Sequence, residues 1–118
     1  MHVGCCDDQG GNKARVKWFR NESNLHRVWD SEMIDDSKFS YTELVKALGE
    51  PDKSMVANWQ KSTVREWVAE SMSYRKQVYA MGEGNLGYKY NWKNFPVVKL
   101  RLVQAGVRLA GILNQIYG

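Results

Sequence analysis

The chain has 118 residues, which corresponds to one domain or to part of one. Its 17 Lys and Arg against 13 Asp and Glu give a formal net charge of +4, a mild preference for polyanions. The basic residues are spread along the chain and not gathered in one patch, so charge alone does not indicate nucleic-acid binding. No apolar run reaches the ~18 residues that span a bilayer. No signal peptide follows Met1, and the chain is therefore expected to be soluble and not itself exported.

The two cysteines are adjacent, at positions 5 and 6. Adjacent cysteines rarely bond to each other because the geometry is strained. The pair therefore excludes a disulfide framework within the chain. A thiolate zinc site would need further ligands at suitable spacing, and the sequence offers none.

The first third of the chain predicts a loop, a strand and a helix. Residues 1–13 are rich in Gly, Asp and Asn, which punctuate structure. Residues 14–19 partly alternate between basic and apolar side chains and predict a short strand or hairpin whose basic face is solvated. Asn24 or Ser23 can cap a helix that is predicted over residues 25–34.

The remainder predicts further helices and one long loop. The helices of the middle segment are expected over residues 42–48, 54–61 and 62–79. Residues 82–95 are rich in glycine and aromatic side chains and predict a loop, and Pro96 suits the first turn of a last helix that ends near residue 117. That helix is apolar on most sides and needs several neighbours to bury it. The pattern predicts a mainly α-helical fold, part of whose natural packing surface is missing from the chain.

His26 and Asp30 form the most informative pair in the sequence. Four residues apart on a helix, their side chains share one face and can bind a common metal ion. One such pair is weak evidence, because a capped helix with a locally bonded histidine gives the same pattern. His2, the only other histidine, would complete a two-histidine, one-carboxylate set with the open position that catalytic zinc needs. The glycine-rich segment allows His2 to fold back, but the spacing does not require it.

The same residues resemble the zinc-dependent nuclease S1/nuclease P1 family. The family pattern Pro-Leu-His is matched here at its histidine, His2, with Met1 in the leucine position. The patterns Asp-x-Gly-Gly-Asn and Asn-Leu-His-x-x-Trp-Asp follow in the same order and spacing as Asp8-Gln9-Gly10-Gly11-Asn12 and Asn24-Leu25-His26-Arg27-Val28-Trp29-Asp30. Its Trp-x-x-Glu-Ser helix and its C-terminal helix are similar to Trp67-Val68-Ala69-Glu70-Ser71 and to residues 105–114. The resemblance covers essentially the whole chain.

The resemblance implies a mainly α-helical fold shared with bacterial zinc phospholipase C. It implies a hydrolase that acts on ester bonds, an endonuclease and 3′-nucleotidase that cleaves single-stranded DNA and RNA with three zinc ions. One of those zincs would be held by His2, His26 and Asp30, and Asn12 would lie in the loop near the metals as a candidate substrate-binding residue. No catalytic residue is assigned. The expected partners are single-stranded nucleic acid or 3′-nucleotides. No membrane association is expected, and the protein is expected to be a monomer.

The sequence lacks the residues that bind the other two zinc ions in the family. Those ligands precede the Pro-Leu-His segment, whose histidine corresponds to His2. Residues 1–118 are therefore expected to be the C-terminal part of a single nuclease domain, whose parent is secreted or periplasmic. Hydrolysis by metal clusters needs at least two ions, so little or no activity is expected from the chain alone. Two alternatives remain open: a non-catalytic helical remnant that binds nucleic acid or a partner, and a structural one-zinc domain. The second alternative needs a fourth ligand, for which Asp7 and Asp8 are the nearest candidates.

Overall fold

The computed structural model describes residues 7–118, and it confirms a mainly α-helical fold with one small sheet. In chain order the elements are β1 (Arg15–Trp18), β2 (Asn21–Asn24), α1 (Leu25–Arg27), a π-helical turn (Val28–Glu32), α2 (Met33–Asp36), α3 (Tyr41–Leu48), α4 (Lys53–Lys61), α5 (Val64–Ser73), α6 (Arg75–Val78), β3 (Asn85–Leu86) and α7 (Tyr88–Tyr117). None of the helices in residues 7–118 combines the length and the apolar character needed to cross a bilayer.

The strand predicted near residues 14–19 is β1, which forms an antiparallel hairpin with β2 and pairs in parallel with β3 on its other edge. The two residues of the hairpin turn, Phe19 and Arg20, both have positive φ, as a two-residue turn that follows the strand twist requires. Val16 and Trp18 point into the core while the basic side chains that alternate with them, Arg15 and Lys17, are exposed. The expectation of a solvated basic strand face is therefore confirmed.

The core lies where the hairpin, the helical segment at residues 25–36 and the first half of α7 meet. Trp18 of β1, Val28 and Met33 of the helical segment, and Tyr90 and Val98 of α7 are all at most 8% exposed. Asn94, one turn after Tyr90, is fully buried and donates to the Tyr90 carbonyl at 2.9 Å. The residues of α7 that repeat every four positions thus fix this helix against the core.

The prediction of a long loop over residues 82–95 is wrong from residue 88 onward, because α7 begins at Tyr88 and not at Pro96. Proline inside a helix removes the hydrogen bond to the carbonyl four residues earlier, which here belongs to Trp92. Trp92 is 82% exposed, and Pro96 is exposed as well, so the carbonyl left without that bond lies on the solvent side. The helix tolerates Pro96 there, and the packing of its buried side overrides the local signal.

The single helix predicted over residues 62–79 is divided at Tyr74 into α5 and α6. Thr63 starts α5 with a capping box, in which its hydroxyl accepts from the Glu66 amide and the Glu66 carboxylate accepts from the Thr63 amide. At the other end the Tyr74 amide donates to the Ser71 carbonyl at 3.2 Å, a tightened last turn. After the break, α6 bonds to α7, where the Gln77 side chain donates to the Asn94 side chain at 3.0 Å.

Glu70 of α5 joins this helix to α7 through two arginines. Its carboxylate accepts two hydrogen bonds from Arg108, at 2.7 and 2.8 Å, and one from Arg101 at 2.8 Å. Arg108 is only 5% exposed, and its guanidinium lies 5.2 Å from the ring centroid of Trp67. The hydrogen bonds from Arg108, and then the one from Arg101, hold the pKa of the Glu70 carboxyl below its usual value in spite of partial burial.

Replacing Glu70 by Gln is expected to lower the free energy of unfolding by about 1–3 kcal/mol at neutral pH, because buried Arg108 loses its counter-ion. The folded-state pKa of Glu70 is lowered, so the contribution of its charge is complete above the unfolded value of 4.5 and is lost as pH falls through the folded value. Denaturant unfolding of wild type and variant at pH 7 and at pH 3 should therefore show a difference that shrinks in acid.

The control is Glu50→Gln, since Glu50 is exposed. It should change stability by less than about 0.5 kcal/mol at both pH values. If Glu70→Gln behaved like Glu50→Gln at neutral pH, the ion pairs would not hold α5 on α7.

Candidate metal centre

A cleft of about 340 Å³ opens between the helical segment at residues 25–36, α6 and α7. His26 and Asp30 both line it, so the structure brings together the two sequence-predicted ligands that lie among the described residues. His26 is half-buried, and Asp30 is exposed. The walls around them are mostly apolar and include Trp29, Ile34, Val78, Tyr79, Val97, Val98 and Leu102.

His26 is placed by the first turn of α1. The Asn24 side chain accepts from the Arg27 amide at 2.8 Å and caps the helix, as its sequence position predicted. Leu25 is buried in the core, which directs the next side chain to the cleft. The Nδ1 atom of His26 lies 3.2 Å from the Gly10 carbonyl oxygen. A carbonyl only accepts, so Nδ1 carries the hydrogen and the lone pair of the neutral ring is on Nε2, the arrangement typical of metal-bound histidine.

The two glycines of the Asp-x-Gly-Gly-Asn segment bring the Gly10 carbonyl to His26. Gly11 has φ +94°, and a Cβ atom built there would lie 3.0 Å from the His26 amide nitrogen. Asp8 fixes the turn, since its Oδ1 accepts from the Gly11 amide at 3.1 Å and its Oδ2 accepts from the Tyr79 hydroxyl. Only a residue without a side chain allows the turn to approach the start of α1 so closely.

Asp30 lies in the π-helical turn, where the Met33 amide donates to the Val28 carbonyl five residues earlier. Such single π turns are rare, and they are frequent at functional sites. Val28 and Met33 are the two ends of this bond and are the most deeply buried apolar side chains of the segment. Burial of both ends holds the turn in place and leaves Asp30 on the cleft side.

The other predicted site residues that the structure describes do not line the cleft. His2 lies outside the described residues, and so does the cysteine pair. Asn12 is exposed, donates to the Gln9 carbonyl at 3.1 Å, and is not among the residues that line the cleft. Asp8 is engaged in the glycine turn, and Asp7 is exposed. Within residues 7–118 no group of three or more His, Cys, Asp and Glu side chains is close enough together to hold a metal ion.

The residues that are present nevertheless fit a zinc ion. Zinc is bound by imidazole nitrogen and carboxylate oxygen, and a catalytic site uses three protein ligands. The cleft supplies one donor of each kind, from His26 and Asp30. The Nδ1 atom of His26 bonds to a backbone carbonyl, as is typical of a metal-bound histidine. Sequence reasoning missed two groups around these residues: the Gly10 carbonyl, which bonds to His26, and the Tyr79 hydroxyl, which bonds to Asp8 of the glycine turn.

Comparison with known proteins identifies the family of the chain. The family model described as S1/P1 Nuclease matches residues 1–118. Three Arabidopsis thaliana proteins are similar across 99% of the chain: Endonuclease 5 at 35% identity, Endonuclease 3 at 32% and Endonuclease 4 at 31%. The chain covers only 45–46% of their lengths and so spans about half of each relative. The chain belongs to the S1/P1 nuclease family.

Replacing Gly11 by Ala is expected to cost roughly 2–4 kcal/mol of stability, because a positive φ and a backbone clash act together. Gly82→Ala is the matched control, since Gly82 also has positive φ but has no atom within 4 Å of the added Cβ. The control should cost about 1–2 kcal/mol. Denaturant unfolding of both variants gives the comparison, and equal losses would show that the close approach to His26 is unimportant.

Proposed function

We propose that the chain is part of a zinc-dependent endonuclease and 3′-nucleotidase that hydrolyses phosphodiester bonds in single-stranded DNA and RNA. Membership of the S1/P1 nuclease family supports this proposal. The structural observation that carries it is the pairing of His26 and Asp30 on one cleft, with the His26 ring fixed by the Gly10 carbonyl. The relatives named as endonucleases are consistent with the same chemistry.

In this proposal His26, Asp30 and His2 would hold one zinc ion. When bound, zinc supplies an acidified water and a positive charge for the phosphate oxygens. The Gly10 carbonyl keeps the His26 ring in one tautomer and one orientation, so that Nε2 would be available to the metal without further ordering. The carboxylate of Asp30 offsets part of the metal charge. Arg75 also lines the cleft and adds a positive side chain suited to an anionic substrate.

We further propose that residues 1–118 form the C-terminal part of a single S1/P1 nuclease domain. The chain spans about half of each relative, which supports this assignment. The whole protein would be secreted or periplasmic and would act as a monomer on single-stranded nucleic acid or 3′-nucleotides. A preference for single strands would arise from stacking of unpaired bases on aromatic side chains, and Asn12 is kept as a candidate contact to substrate.

Zinc binding tests the ligand assignment directly. Equilibrium dialysis followed by metal analysis should find about one zinc per wild-type chain, since one ligand set is present. His26→Ala and Asp30→Ala should each lose most of it, because two remaining ligands do not hold zinc tightly. Asp35→Ala is the control, as Asp35 is an exposed carboxylate on the same helical segment but outside the cleft. Zinc retained by both ligand variants would contradict the assignment.

Cleavage of single-stranded DNA tests the expectation that one zinc is insufficient. The 118-residue chain, incubated with zinc and a labelled oligonucleotide, should give little product, because two ions are needed to activate water and to stabilise the leaving oxygen. Robust cleavage that a chelator and His26→Ala both abolish would show that the chain alone forms a complete centre.

A further inference from the structure

A buried hydroxyl on α7 contacts the helical turn that carries the proposed zinc ligands. The Trp29 indole nitrogen, located between His26 and Asp30 in sequence, donates to the Tyr90 hydroxyl oxygen at 2.8 Å. The Tyr90 hydroxyl in turn donates to the Val78 carbonyl at the end of α6, at 2.6 Å. One oxygen atom therefore links the ligand-bearing turn, α6 and α7.

The geometry of this link is fixed on all sides. Tyr90 is 8% exposed, and its ring meets that of Trp29 edge to face, with 6.4 Å between centroids and 86° between planes. The backbone of Tyr90 accepts from the fully buried Asn94, and the Asn94 side chain accepts from Gln77 of α6 at 3.0 Å. Because the Tyr90 ring is held on these sides, its hydroxyl donates only toward the Val78 carbonyl and accepts from the Trp29 indole.

Tyr90 keeps its proton throughout the ordinary pH range. Burial raises the pKa of the Tyr90 hydroxyl to about 12. The hydroxyl group is therefore neutral near pH 7, and it donates to Val78 while it accepts from Trp29.

Movement of the turn would break this link. Trp29 and Asp30 are adjacent in the same π turn, so a rotation of the turn that displaces the Asp30 carboxylate also withdraws the Trp29 nitrogen from Tyr90. Asp30 itself is exposed and is not held by burial. Its position relative to His26 therefore depends on what holds Trp29.

We propose that Tyr90 is a positioning residue for the zinc site, which acts through Trp29 to fix Asp30 at the distance from His26 that a shared metal needs. This inference rests on the proposed function, since it concerns the same ligands. Groups that orient metal ligands typically contribute about 10–100-fold to metal affinity.

The experiment measures zinc affinity by competition with a chromophoric chelator, and the absorption spectrum of the cobalt-substituted chain, in wild type and Tyr90→Phe. The variant keeps the ring and loses only the hydroxyl. Zinc affinity should fall by about tenfold or more, and the cobalt bands should shift because the ligand geometry relaxes. Trp29→Phe removes the donor of the same hydrogen bond, and the double variant should be no weaker than the worse single variant.

Two controls separate positioning from general loss of stability. Val16→Ala opens a cavity in the core at β1, away from the cleft, and should lower stability while zinc affinity and the cobalt spectrum stay unchanged. Tyr88→Phe removes a hydroxyl from a side chain that is 84% exposed and should change neither the zinc affinity nor the cobalt spectrum. If Tyr90→Phe does not fold, the zinc affinity and cobalt spectrum of Trp29→Phe are compared with those of Val16→Ala.

The outcomes distinguish the two proposals. Tight zinc binding by wild type with unchanged affinity and spectrum in Tyr90→Phe and Trp29→Phe would overturn the positioning role and leave the ligand assignment intact. A wild-type chain that binds no zinc would overturn the ligand assignment and, with it, the role of Tyr90.

Discussion

Two consecutive groups at the end of α6, the Val78 carbonyl and the Tyr79 hydroxyl, hold the two sides of the cleft. The carbonyl accepts from Tyr90, which accepts from Trp29 and so reaches the turn of Asp30. The Tyr79 hydroxyl donates to Asp8, which fixes the glycine turn whose carbonyl bonds to His26. Under the proposal that Tyr90 positions Asp30 through Trp29, the relative position of the two ligands depends on α6, a helix of only four residues. Tyr74 separates this helix from α5.

The long helix α7 changes character along its length. Its first half packs Tyr90, Asn94 and Val98 into the core, and its middle binds α5 through Arg101 and Arg108. Beyond Arg108 the helix keeps an apolar face that is exposed among the described residues, formed by Leu109, Ile112, Leu113 and Ile116. An apolar helix face of this kind is normally covered by a neighbouring element.

Sequence reasoning reached the parts of the fold that depend on local chemistry. The strand β1 followed from alternation in residues 14–19, and the start of α1 followed from Asn24 as a cap, but the residues of β2 predicted a turn. It failed where tertiary packing outweighs local preference. Pro96 predicted a helix start, but burial of Tyr90 and Asn94 extends α7 back to Tyr88. The π turn leaves no local sequence signal, because it is set by where Val28 and Met33 are buried.

The candidate site was accessible from the sequence only in part, for a related reason. A motif shows which ligands lie together on a helix, so the pairing of His26 and Asp30 could be read from their spacing. It does not show which distant groups orient them: Tyr90 follows Trp29 by 61 residues and Tyr79 follows Asp8 by 71. The structure also explains why the two early motifs occur together. The glycines of the first bring a carbonyl to the histidine of the second, and a side chain at Gly11 would meet the His26 amide. The two motifs therefore form one unit, and neither would build the site without the other.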